Sequence, residues 1–106
     1  MNQDELMHSM EEIFSMCIRL ARKKNSDYAS DSDALENFRS FGRDGIIVRL
    51  GDKFTRLRNV YKRGNVVDET LEDTLLDIIN YAAIAIVMGE ENGYSGVVYD
   101  VQQCVL

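Results

Sequence analysis

From Leu71 onward the apolar residues Leu71, Leu75, Ile78, Ile79, Ala82 and Ile86 recur at helical spacing, and from Tyr81 to Met88 the chain is apolar on every side. This pattern predicts a helix over Glu69 to Met88, buried in a core. One stripe interrupts it. Glu69, Asp73, Asp77 and Asn80 share a face, and that face runs into the apolar half. A carboxylate there is costly unless a cation meets it, so a basic partner is expected opposite the stripe. Glu69 and Asp73 also suit the positive pole at the start of a helix.

Three further elements follow from the same kind of pattern. Leu6, Met10, Ile13, Phe14, Cys17, Leu20 and Ala21 form an amphipathic stripe, predicting a first helix capped by Asp4 or a neighbour and running to about Lys24. The bases of its last turns suit the carbonyl pole of the dipole, which by itself accounts for Arg19 and Arg22. Asn25 to Asp33 is rich in turn-forming side chains and reads as a loop, followed by a short helix from about Asp33 to Phe41 with Asp33 as its cap and Gly42 closing it. Ile46, Ile47, Leu50, Phe54, Leu57 and Tyr61 then make the stripe of a helix ending at Gly64. The link Asn65 to Asp68 is short, with Asp68 a suitable cap, so the last two helices are expected to be antiparallel neighbours.

The whole is an all-α helical bundle of three long helices plus one short one, in a single domain over residues 1–106. A short extended tail or strand is expected from Tyr94 to Leu106, where Val97, Val98, Tyr99, Val101, Val105 and Leu106 are β-prone.

Charge sharpens this picture. Twelve Lys and Arg stand against eighteen Asp and Glu, a formal charge of −6 that argues against a dedicated nucleic-acid binder. The bases are nevertheless clustered, in Arg19 to Lys24 and Arg39 to Arg63. Within the second run Arg49, Asp52, Lys53 and Arg56 share a helix face. Two readings fit that face: a salt-bridged surface ladder, or a metal-binding carboxylate among phosphate-binding cations. Since the following helix bears the acidic stripe, the two charged stripes can face each other.

Cys17 and Cys104 have no metal-ligand spacing, and His8 reads as a surface residue. Tyr28 either folds onto the core or stacks on a flat ligand. No leader pattern opens the chain and no apolar run reaches the roughly 18 residues of a membrane span, so a cytoplasmic protein, without a membrane partner, is expected.

Four short stretches occur in an informative order: Lys24-Asn25-Ser26-Asp27-Tyr28, Glu36-Asn37-Phe38, Arg49 to Leu57 (RLGDKFTRL), and Glu69 to Tyr81 (ETLEDTLLDIINY). Over about residues 22–88 they resemble the nucleotide modification associated domain of phage and bacterial proteins. That domain is similar to the all-α nucleoside triphosphate pyrophosphatase superfamily, which includes MazG and the dimeric dUTPases. The resemblance implies an Mg²⁺-dependent (possible also with Mn²⁺) hydrolase that cleaves an ordinary or modified (d)NTP to the monophosphate and pyrophosphate.

By the same resemblance, Asp73 and Asp77 with Glu69 or Glu72 are expected to hold the metal, with Asp52 added from the preceding helix. Asp73, Asp77 and Lys53 become the catalytic residues. Arg49 and Arg56, with Lys53, would bind phosphate oxygens, Asn25, Asp27 and Tyr28 would form a lip near base or sugar, and Asn80 would orient the ligand. A homodimer or homotetramer in the cytoplasm, the host's if the chain is phage-encoded, is implied as well. One departure stands out. MazG proteins carry EExxE on an earlier helix, whereas here Glu11-Glu12-Ile13-Phe14-Ser15 has Ser15 in place of the third acid. Two other functions stay open: a nucleotide-binding protein without turnover, and a phage helical interaction module.

Overall fold

The computed structural model describes residues 1–28, 33–63 and 71–91, with the side chains of residues 26–28 and 63 not described. Four helices are present: α1 (Gln3–Tyr28), α2 (Glu36–Arg39), α3 (Gly42–Arg63) and α4 (Leu71–Glu91). Three are long and there is no strand among the described residues, so the expected all-α bundle holds. The Asp68 cap, Glu69, the Asn65 to Asp68 link, Gly64, Cys104 and the tail from Tyr94 to Leu106 lie outside the described residues.

The N-terminus of α1 is closed by a reciprocal cap. Asn2 Oδ1 accepts a hydrogen bond from the Glu5 amide at 2.8 Å, and Glu5 Oε2 accepts one from the Asn2 amide at 3.3 Å. Asn2, a neighbour of Asp4, therefore does the capping. At its other end α1 departs from expectation. Asn25 to Tyr28 continues the helix instead of opening a loop, and no base stands in the last turn. Turn propensity in this stretch is overridden because Lys24, four residues before the end, is tied to a distant carboxylate.

The short helix is briefer than Asp33 to Phe41. Asp33 does not cap it in the usual sense; its carboxylate accepts the Leu35 amide at 3.1 Å and clasps Arg39 through Nε and Nη2, at 2.6 and 3.0 Å. Arg39 Nη1 also reaches Glu91 Oε1 at 2.7 Å, tying α2 to the end of α4. Gly42 turns the chain from α2 into α3 with φ +67, a conformation that suits glycine.

α3 and α4 pack against each other most extensively and run antiparallel, with Arg43 against Gly89, Lys53 bonded to Asp77, and Leu57 beside Leu71 and Leu75. At one end of this pair Ile46, Ala85 and Met88 form the core, covered by Leu35, Phe38, Tyr81 and Ile84. Thr74, Val60 and Cys17 are buried elsewhere.

The expectation of a helix buried all round is corrected here. Ile86 and Val87 of α4 are exposed, and so are Ile47, Phe54 and Tyr61 from the α3 stripe. On α1 only Cys17 of the stripe is buried, while Leu6, Met10, Ile13 and Phe14 are exposed. Three long helices of a single chain cannot enclose one another's full apolar faces, so much of that surface stays open. No described helix is long and apolar enough to cross a membrane.

Candidate functional site at the junction of three helices

Asp77 sits a third of the way along α4 with its side chain only 15% exposed. Lys53 Nζ of α3 donates to its Oδ2 at 2.9 Å, and Lys24 Nζ of α1 donates to its Oδ1 at 3.1 Å. Each carboxylate oxygen thus holds one ammonium, and three helices meet at one group. The cation expected opposite the acidic stripe is present, supplied twice.

Burial pushes the Asp77 carboxyl up, but the hydrogen bonds from Lys53 and Lys24, with their charges, outweigh it and hold the group below the usual carboxylate range. It is ionised at neutral pH. Lys53 is 20% exposed and Lys24 55%, so the junction opens to solvent on the α1 side.

The other expected site residues differ in how far they are buried. Asn80, one turn beyond Asp77, and Asn25, adjacent to Lys24, are half-buried. Asp73, one turn before Asp77, and Glu72 are exposed on α4, as are Asp52 and Arg56 on α3. Arg49 is exposed too and lies over the Phe41 ring, 5.8 Å from its centroid. Asp27 and Tyr28 belong to α1, so they form the last turn of a helix. Among the described residues no three His, Cys, Asp or Glu side chains come together as a metal-holding group.

Sequence reasoning missed Lys24, which it assigned to the dipole of the first helix. The signal was there: Lys24 follows Cys17 and Leu20 at helical spacing, so it continues the apolar stripe and points toward the face that packs on α4. A base at a core-facing position calls for a buried acid, and Asp77 is that acid.

The profile of the nucleotide modification associated domain 1 family matches residues 24–88. The chain belongs to this family. The matched span contains Lys24, Lys53 and Asp77, the whole of the junction, whereas α1 before Lys24 lies outside it. No curated protein and no solved structure matches the chain.

Proposed function

We propose that this member of the family binds a nucleoside polyphosphate at the Lys24–Asp77–Lys53 junction. The observation that carries the reading is the pair of ammoniums, contributed by two helices and held by one half-buried carboxylate inside the matched span. An ammonium has three N–H donors and Asp77 takes one from each lysine. The half-exposed Lys24 is the natural first contact for a phosphate oxygen, by a charge-assisted hydrogen bond. Asp77 sets the positions of both cations before the ligand arrives, which lowers the ordering cost of binding.

Calorimetric titration with a panel of NTPs and dNTPs, including modified bases, tests this reading. Lys24→Met and Lys53→Met are each expected to weaken binding about tenfold or more, the loss of one charge-assisted contact. Unchanged affinity in both variants overturns it.

Hydrolysis to a monophosphate and pyrophosphate is the second reading, favoured by Asp73 one turn from Asp77 and by Asp52 next to Lys53, oxygen donors placed close to the cations in sequence. Mg²⁺ prefers near-octahedral oxygen coordination. The described residues do not assemble such a shell by themselves: both Asp77 oxygens are engaged by lysines, and Asp52, Glu72 and Asp73 are exposed on their helices. Glu69, the first member of the acidic stripe, lies outside the described residues. Incubating the same panel with Mg²⁺ or Mn²⁺ and separating the products decides between the readings. Monophosphate with pyrophosphate establishes cleavage between the α and β phosphates, while binding with unchanged nucleotide establishes a sequestering or sensing protein. Placement within the MazG and dimeric dUTPase superfamily, a phage source and a homodimeric or homotetrameric state belong to this proposal as well.

A further inference from the structure

Phe38 and Phe41 stand three residues apart and have opposite fates. Phe38 packs against the core, whereas Phe41, in the turn between α2 and α3, is 66% exposed. A single exposed apolar side chain is common on any surface. What sets Phe41 apart is how it is held. Gly42, with φ +67, makes the turn on one side of it. Gly45 makes room on the other, since a Cβ at that position would stand 2.5 Å from the Cβ of Phe41. The guanidinium of Arg49 then lies over the ring, 5.8 Å from its centroid.

Arg49 is equally informative. Asp52 is three residues further along α3, close enough on a helix for an ion pair, yet among the described residues Arg49 has no carboxylate partner and lies on Phe41 instead. A guanidinium stacked on a ring keeps its in-plane N–H donors for other acceptors. Lys53 follows Arg49 at i+4, so it shares that face of α3, one turn or about 6 Å further along the axis. Ring, guanidinium and ammonium therefore succeed one another along one side of the helix, and the ammonium belongs to the junction with Asp77.

We propose that Phe41 is the platform on which the nucleobase stacks, with the sugar and phosphates running past Arg49 to Lys53 and Lys24. This rests on the nucleotide reading of the junction and adds to it the part of the ligand recognised by the turn between α2 and α3, and the direction in which the ligand lies. The chemistry of the surface selects the occupant. An aromatic ring with open area takes the flat face of a base, and the cations beyond it take phosphate oxygens. Every base has such a face, so stacking here tolerates different bases and favours the larger purines.

Calorimetric titration of the full chain with ATP, GTP, CTP, UTP and inorganic tripolyphosphate tests this, on the native protein and on Phe41→Ala, Phe41→Leu and Phe41→Trp. The native chain is expected to bind the nucleotides, purines foremost, more tightly than tripolyphosphate. Phe41→Ala and Phe41→Leu should each weaken nucleotide binding about fivefold or more and leave tripolyphosphate within about twofold, since leucine keeps apolar bulk but offers no ring. Phe41→Trp should keep the affinity. The chain has no tryptophan of its own, so the indole fluorescence of that variant reports on position 41 alone and should change on adding nucleotide but not tripolyphosphate. Circular dichroism verifies that each variant stays helical. Nucleotide affinity indifferent to Phe41→Ala, while Lys24→Met and Lys53→Met still weaken it, overturns the platform and leaves the junction standing. Equal loss of nucleotide and tripolyphosphate in Phe41→Ala also overturns it, because the ring would then act only by holding Arg49. A native chain that binds none of these ligands overturns both readings.

Discussion

At Asp77 a single carboxylate decides how α1 is attached to the rest of the chain, because its two hydrogen bonds go to lysines of two other helices. Asp77→Asn keeps the shape, removes the charge and leaves two ammoniums facing each other. A loss of about 1–3 kcal/mol is expected in chemical denaturation, below the full cost of breaking a buried pair because Lys24 is half-exposed. The pH dependence has a definite sign. The folded-state pKa of Asp77 is lowered, so its contribution is fully present above the ordinary carboxylate value of about 4 and is lost as pH falls below that toward the folded value. The stability gap between the native chain and Asp77→Asn should therefore be constant above about pH 5 and close on further acidification. Asp33, lowered chiefly by its hydrogen bond from Arg39, titrates in the same direction and persists in the variant. At Cys17 burial pushes the thiol up, so labelling of this position by a thiol reagent should be slow until the protein unfolds.

At the scale of elements, the joints between helices are made by local devices with separable consequences. Gly42 has φ +67 and nothing within 4 Å of where a Cβ would stand, so Gly42→Ala isolates a backbone cost. About 1 kcal/mol is expected, read from the denaturation midpoint, and a neutral result would mean that α3 starts differently. Arg39 joins Asp33, α2 and Glu91, so Arg39→Ala should speed amide exchange at Phe38 and at residue 39, while exchange around Thr74 changes little. Asn2→Ala removes the cap of α1. Because the first half of that helix is exposed, the effect should appear as fraying of its first turn.

At the scale of the whole molecule, exposed apolar surface is the dominant feature of the described residues. Ile46, Ala85 and Met88 close one end, but α1 carries its apolar stripe away from that core and α3 and α4 leave a cleft at the other end. The homodimer or homotetramer of the proposed reading would cover part of this surface. Stability should then rise with protein concentration, through the mass action of dimer formation.

The periodicity of apolar positions by itself determined that this chain is helical, roughly where the three long helices run, and that α4 would carry an acid needing a cation. Those features depend on neighbours a few residues apart, which sequence displays directly. The motif order likewise carried the family, through residues scattered along α1, α2, α3 and α4. Which base would meet Asp77 was decided only by the tertiary structure. Arg49, Lys53 and Arg56 share a face and look equivalent in sequence, yet Lys53 alone of the three is seen bonded to Asp77, and Lys24 arrives from a helix that local turn propensity would have ended. Packing also decided how little of the apolar stripe is buried. Burial depends on how many helices are available to cover a face, and spacing along one helix contains no count of its neighbours.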